Sequence, residues 1–409
     1  MNIVVLEPGF DDFCSHHASV NASISRHFLA SQAVHTLRIL AAKKLALNPM
    51  LTADTEVVTP FFLSPCYTNR LKPLDRVREQ QLAEDFAGEL RSAFEQHLIE
   101  PNSCLVLHTF FSFHLLGLAL WLHQTGAHFT GRVILCGMFY PGSPDHNSPH
   151  FEIELQRFRR FKLAASLLSS VIAPQRVCWA TSCQSYTSMY HVVTQAPVGI
   201  HPIITGNLSA VAKKVLTPKQ KTQILLYAGS VKEEKGLRFV LQHLQELLKT
   251  FAQVDFIVHL NTSSAGIRDF PDAHAYLRQL ADECASLDCI FGTLTDSEFQ
   301  ELLNHSDAIV CHYNPQAYLH KTSGLLWDVM ARENTALICT QDTWLQEEYS
   351  KVGGTAFGFQ YENMASLIDA ITSWKDCQPP FIYPNDYYRK LMQSFPDWLE
   401  RQCITLYTD

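Results

Sequence analysis

The sequence predicts an α/β protein built as two domains, each a parallel sheet wound by crossover helices. Three observations carry that prediction. At 409 residues the chain exceeds one ordinary core, and its 47% hydrophobic and 18% charged content lets both halves bury one. Short β-branched runs alternate with helical stretches. The alternation lapses into small, polar and basic residues through Thr217, Pro218 and Lys219, then begins again.

In the first half the expected strands are Asn2 to Leu6, Glu56 to Phe61, Cys104 to His108, Arg132 to Cys136 and Val177 to Thr181. Leu82, Phe86, Leu90, Phe94 and Leu98 recur at helical spacing within Asp75 to Glu100, so that helix needs a sheet to cover it. Residues 1–205 form the expected first domain, 206–222 a linker, and 223–380 the second domain.

The second half reads as strand Ile224 to Ala228, helix Lys235 to Lys249, strand Phe256 to Leu260 and helix Asp272 to Ser286. The first of these helices carries a stripe at Leu237, Val240, Leu241, Leu244, Leu247 and Leu248. A short strand, Cys289 to Phe291, comes next. Thr295 with Glu298 forms a capping box that opens a helix bearing Phe299, Leu302 and Leu303. Strands follow at Asp307 to Cys311, Ala336 to Thr340 and Thr355 to Phe359, with helices at Ser323 to Arg332, Trp344 to Ser350 and Asn363 to Trp374. Residues 381–409 end the chain in a helix, Asp386 to Gln402, that is a candidate to cross back to the first domain. The two halves look like two copies of one architecture.

A net charge of -8 gives no general electrostatic reason to bind nucleic acid. The N-terminus is strand-like and lacks the pattern of a secretory leader, and the apolar stretch Leu115 to Leu122 is too short to span a bilayer. The expected location is therefore the cytoplasm. Twelve cysteines, Cys14, Cys66, Cys104, Cys136, Cys178 and Cys183 among them, form no CxxC pair and read as reduced thiols buried as small hydrophobes.

Two segments could carry chemistry. The strand ending at Ala228 runs into Gly229, Ser230, Val231, Lys232, Glu233, Glu234, Lys235 and Gly236. A glycine at a strand end lets backbone approach a ligand, and a lysine at the next helix start can pair with phosphate. The second segment is His320, Lys321, Thr322, Ser323 and Gly324, directly before an apolar helix that contains Asp328. Free N–H groups at a helix start, flanked by hydroxyls and a lysine, make an anion site, and an ordinary capped helix has the same pattern.

The order of the segments Leu225 to Gly236, Ile290 to Val310 and His320 to Ile338 resembles the retaining GT-B glycosyltransferases, the group that includes glycogen synthases and many bacterial lipopolysaccharide and capsule sugar transferases. The likeness is close over Ile224 to Ile371 and loose before it. It implies two Rossmann-like domains facing each other across a cleft, the first for the acceptor and the second for a nucleotide-sugar donor. Lys235 then matches the lysine that pairs with the donor diphosphate, beside Gly229. Gly292 and Thr293 begin the loop that holds the base. Ser323 and Gly324 offer N–H groups to the diphosphate, with Lys321 and Thr322 beside them as further candidates; Asp328 stands where the family has a glutamate that binds the ribose, and His320 where it has one close to the donor sugar.

The departures are specific. Ser230 stands where many members have an arginine, His320 and Asp328 replace a pair of glutamates, and Glu333 replaces a glycine. In the first half, Glu7, Pro8 and Gly9 followed by Ser15, His16 and His17 match an acceptor-side glycine and histidine loop, and His108 matches a histidine at a strand end; His114 follows in the next helix. A further histidine expected after Cys136 is missing, and Gly137 to Tyr140 stand there, with Asp145 and His146 as candidate substitutes.

The implied activity is transfer of a sugar from a UDP- or GDP-linked donor, with retention and without a metal, to a glycan, a lipid-linked sugar or a small molecule. Lys235, His320, His108 and His17 are its candidate catalytic residues. No cofactor is implied beyond the nucleotide sugar. The basic run Arg157 to Lys162 reads as a solvated helix face or as a contact with the inner face of a membrane. A sugar-nucleotide epimerase, which shares the double layout, and a catalytically weakened partner subunit, which the missing arginine and glutamates fit, remain as alternatives.

Overall fold

The computed structural model describes residues 1–12, 16–47, 57–64, 66–67, 75–125, 128–145, 150–204 and 221–405. The chain divides into two compact units, one comprising Met1–Leu208 with Lys390–Asp409 and the other Ser209–Arg389. The expected linker lies almost wholly outside the described residues, as do Ser15 and His146.

In the first unit the strands are β1 (Asn2–Glu7), β2 (Thr36–Ala42), β3 (Val58–Phe62), β4 (Cys104–Leu107), β5 (Arg132–Gly137), β6 (Val177–Thr181) and β7 (Val198–Ile200). They pair in parallel in the order β3-β2-β1-β4-β5-β6-β7. Its helices are α1 (His16–Ala30), α2 (Arg76–Glu95), α3 (Ser112–Thr125), α4 (Phe151–Val171) and α5 (Gln184–Thr194). The central strands are buried on both faces, as helices above and below a parallel sheet require.

The second unit repeats the plan with β8 (Thr222–Tyr227), β9 (Val254–Leu260), β10 (Leu287–Phe291), β11 (Ala308–Cys311), β12 (Ala336–Thr340) and β13 (Ala356–Phe359), paired in parallel in the order β10-β9-β8-β11-β12-β13. Around them stand α6 (Leu237–Thr250), α7 (Ala273–Glu283), α8 (Asp296–His305), α9 (Gly324–Met330), α10 (Trp344–Lys351) and α11 (Met364–Lys375). In both sheets the order reverses beside the first strand, and such a switch point opens a crevice at the carboxyl ends of the two diverging strands.

Two strands and one helix differ from the sequence expectation. β2 and β7 were not expected: β2 leads into Ala41, Ala42, Lys43 and Lys44, a helix-like composition, and β7 has only three residues. The final helix is two, α12 (Asp386–Leu391) and α13 (Phe395–Thr405). Ser394 starts a new helix there by accepting a hydrogen bond from the Asp397 N–H at 3.3 Å, and Pro396 beside it has no N–H to continue the old one. α13 packs on α1 within the first unit, where the His27 imidazole meets Glu400 at 2.8 Å and Asp397 at 3.2 Å.

Candidate functional site

In the second unit the β8 end and its turn are shaped by two left-handed glycines, Gly229 (φ 85°) and Gly236 (φ 75°). The sequence reading opens the helix at Lys235; the structure instead puts Lys235 in a short 3-10 turn, Glu233–Lys235, because the left-handed Gly236 interrupts the backbone before α6. A Cβ on Gly236 would lie 2.1 Å from His312 Nδ1 and 2.3 Å from the His312 carbonyl oxygen, so only glycine fits. The turn folds Lys235 back over the strand end, with its Nζ 3.8 Å from the Cβ position of Gly229 and 5.8 Å from the centre of the Tyr313 ring after β11.

Among the described residues no carboxylate lies within ion-pair distance of Lys235. Burial, then the nearby Lys232 ammonium, pushes its pKa down to about 8, with Lys321 adding to the effect and Glu234 opposing it. A half-buried cation with no carboxylate partner among the described residues is set up to receive an anion.

Gly292 (φ 106°) follows β10 and is joined to the Lys235 turn by a residue that the sequence reading passes over. His259, buried on β9, accepts a hydrogen bond from the Gly229 N–H at Nδ1 (3.2 Å) and donates from Nε2 to the Gly292 carbonyl (3.0 Å). Burial lowers its pKa, and the paired bonds fix the neutral Nε2–H tautomer. Its signal in the sequence, one polar residue inside the apolar run Phe256 to Leu260, is the same as that of any core histidine. Beside it the Thr293 hydroxyl donates to Asn261 Oδ1 at 3.2 Å. Gly229, Lys235, Gly292 and Thr293 thus gather at the carboxyl ends of β8, β9 and β10.

The other donor-side residues are partly engaged within the protein. The Lys321 ammonium pairs with Glu234 at 2.9 Å and lies 4.6 Å from the Tyr318 ring centre. Asp328 accepts a hydrogen bond from Gln300 Nε2 at 3.0 Å, linking α9 to α8, and its carbonyl accepts from Arg332. Burial raises the Asp328 pKa against the opposing pull of Gln300 and Arg332. Its place is therefore a helix-to-helix tie, which the spacing alone did not reveal. Ser323 is the buried N-cap of α9 and Gly324 its exposed first residue, while Thr322 and His320 are half-buried on the segment before it.

In the first unit the reversal of strand order lies between β1 and β4, and there the chain gathers Glu7, His17 and His108, all buried. His17 Nδ1 is 3.1 Å from Glu7 Oε1, and His108 Nε2 contacts Glu7 Oε2. The Gly9 N–H donates to Glu7 Oε1 at 3.2 Å. Burial opposes a charge on Glu7, but the His108 and His17 imidazoles outweigh it and hold the carboxyl far below the usual range. Two imidazoles and a carboxylate with donor atoms within 4.8 Å of one another also make the donor set of a divalent cation, a grouping the sequence reading did not anticipate. His17 was a candidate from the loop that the resemblance matches, and it lies in the first turn of α1; His108 was one from its strand-end position, whereas the role of Glu7 emerges only from the sheet register.

His114 is structural. Its Nδ1 accepts from the Phe111 N–H at 3.0 Å, and burial pushes its pKa down to about 3. Asp145 is exposed. In the basic run, Phe158 and Phe161 are buried and Arg160 pairs with Glu79 at 2.9 Å, which leaves Arg159 and Lys162 exposed on α4. No helix among the described residues is long and apolar enough to cross a membrane.

No family model matches the chain, and no curated protein matches it. Solved structures do. The sucrose-phosphate synthase of Thermosynechococcus elongatus superposes with a TM-score of 0.60 at 12% identity, covering 100% of this chain and 98% of that one. The α,α-trehalose 6-phosphate synthase of Burkholderia multivorans gives 0.62 at 8% identity, covering 100% and 99%. The chain has the GT-B glycosyltransferase fold. A third match is the N-terminal domain of the Candida albicans trehalose-6-phosphate phosphatase, with a TM-score of 0.60 at 11% identity and coverage of 100% and 96%.

Proposed function

We propose that this protein is a retaining glycosyltransferase that takes a sugar from a UDP- or GDP-linked donor bound by its second unit. The observation that carries the reading is Lys235, a crowded ammonium without a carboxylate partner among the described residues, turned over Gly229 at the carboxyl end of β8. Breaking the bond between sugar and diphosphate leaves negative charge on the departing oxygen, and a cation held in place before the charge develops stabilises it most. Gly229 and Gly292 offer backbone that a ligand can approach closely, and the Ser323 and Gly324 amides add dipoles of the right sign. In this reading, as the resemblance implies, His320 faces the donor sugar and Asp328 the ribose, although Gln300 engages Asp328 within the protein. A hydroxyl-bearing acceptor would use the first unit, with His17 and His108.

A second reading, a weakened GT-B partner subunit, is favoured by the pairings Lys321–Glu234 and Asp328–Gln300, which engage two donor-side groups within the protein. The fold match to a domain of a protein named as a phosphatase is consistent with it. Calorimetric titration with UDP and GDP tests the common core of both readings, and release of free nucleotide from the matching nucleotide sugar separates them.

A further inference from the structure

The first unit holds a group of buried metal-type donors that the donor reading does not use. The parallel register pairs Val5 with Val106, and carried two residues on it sets Glu7 of β1 beside His108, directly after β4. His17 reaches the same point from the first turn of α1. Its ring packs against Gly9, where a Cβ would stand 2.8 Å from His17 Cε1, so the chain turns there only without a side chain. The donor atoms of Glu7, His17 and His108 lie within 4.8 Å of one another, and none of the three residues is more than 2% exposed.

A hydrogen-bonded ion pair and a set of metal ligands differ in direction. In the first, an imidazole N–H points at the oxygen that it serves. Glu7 Oε2 and His108 Nε2 are in contact, yet neither makes a directed hydrogen bond. An off-line contact is poor for a hydrogen bond and normal between two ligands of one ion, whose lone pairs face the ion and not each other. His17 Nδ1 and Glu7 Oε1 are 3.1 Å apart. Two ligands on a tetrahedral zinc ion, with bonds of about 2.0–2.1 Å, stand roughly 3.3 Å apart.

The outer atoms fit the same arrangement. A ligating histidine is held in orientation by a partner at its other nitrogen. The Tyr67 hydroxyl stands 2.5 Å from His17 Nε2, and the Thr109 hydroxyl 3.4 Å from His108 Nδ1. The Gly9 N–H donates to Glu7 Oε1 at 3.2 Å. The Tyr67 ring in turn rests edge-on against Phe111 and Phe139.

We propose that Glu7, His17 and His108 bind a first-row divalent cation of the zinc class. Two imidazole nitrogens select such an ion over magnesium or calcium, which take oxygen donors. The histidines bind as neutral rings and Glu7 as a carboxylate, so the ion compensates the buried negative charge. Three protein donors leave a further position for a water or a hydroxyl. The site joins β1, α1 and β4 at the switch point of the first sheet. The resemblance implies transfer without a metal; the proposal departs from that expectation in the first unit and leaves the diphosphate to Lys235. It does not rest on the glycosyltransferase reading.

The probe is Zn2+ alone, titrated calorimetrically into the full chain after treatment with EDTA and removal of the chelator. One ion per chain is the expected result, and Co2+ in its place should give visible d–d bands that Zn2+ abolishes. His17→Gln, His108→Gln and Glu7→Gln should each weaken Zn2+ binding by at least about tenfold, and Tyr67→Phe by about tenfold. His27→Gln removes the part-exposed pairing with Glu400 and should leave binding unchanged. Zinc K-edge absorption of the loaded parent, which needs no variant to fold, should show scattering from two imidazoles. Less than stoichiometric Zn2+ on the folded parent, equal affinity in folded His17→Gln and His108→Gln chains, loss of the ion in His27→Gln, or an edge spectrum without imidazole scattering overturns the site. UDP and GDP enter none of these measurements, so this site and the donor reading fail separately.

Discussion

Half-buried Lys235 and fully buried Glu348 are two ionisable groups of the second unit, and their burial has opposite uses. The Lys235 pKa is pushed down to about 8 by burial and by Lys232. An anion bound beside it favours the charged form and raises that pKa. Affinity for a fully ionised nucleoside diphosphate should therefore fall as pH rises through 8. At pH 8 binding should take up about half a proton, read as a dependence of calorimetric heat on the buffer's ionisation enthalpy.

Glu348 is fully buried on α10, with the Tyr387 hydroxyl donating to it, and burial raises its pKa to about 7 from 4.5. The folded state then holds a proton that the unfolded chain releases. Its contribution is thus lost as pH rises from 4.5 to 7, by about 3 kcal/mol in order of magnitude. Glu348→Gln should flatten the decline of stability across that window, measured by denaturant titration at several pH values. An unchanged slope would mean that Glu348 is ionised or solvated.

At the scale of elements, the turn Gly229 to Gly236 shows how far sequence reasoning reaches. The strand, the glycine and the lysine were legible because β8 is an apolar run with a glycine at its end. The left-handed Gly236 was not, because its cause is a neighbour distant in sequence, His312 after β11, which stacks on Phe239 at 4.0 Å. Gly236→Ala should lower the melting temperature and weaken phosphate binding together, since the Cβ meets the His312 backbone and the strain there is of order 1–3 kcal/mol. Loss of stability with intact binding would detach the turn from the site.

The same limit explains the rest of the site. Strand-end histidines could be picked from the pattern, but which strands adjoin depends on the reversal of sheet order beside β1 and β8. That order brings His108 of the β4 end to Glu7 of β1 across about 100 residues of chain. His259 and the Asp328–Gln300 tie were invisible for the same reason: their partners lie on other elements. The break between α12 and α13, by contrast, was written locally in Ser394 and Pro396 and could have been read.

For the molecule as a whole, two sheets of one topology carry unlike chemistry at equivalent places. The switch point of the first unit holds a buried anion with two imidazoles, and that of the second a cation between glycine turns. The central claim is the diphosphate site at Lys235, and its most direct test is calorimetric titration of UDP and GDP into the parent chain and into Lys235→Ala at pH 7. The account predicts one site for one of the two nucleotides in the parent and at least tenfold weaker binding in a folded Lys235→Ala, about the worth of one charge-assisted hydrogen bond. Equal affinity in the two chains, or no binding of either nucleotide to the parent, would contradict it.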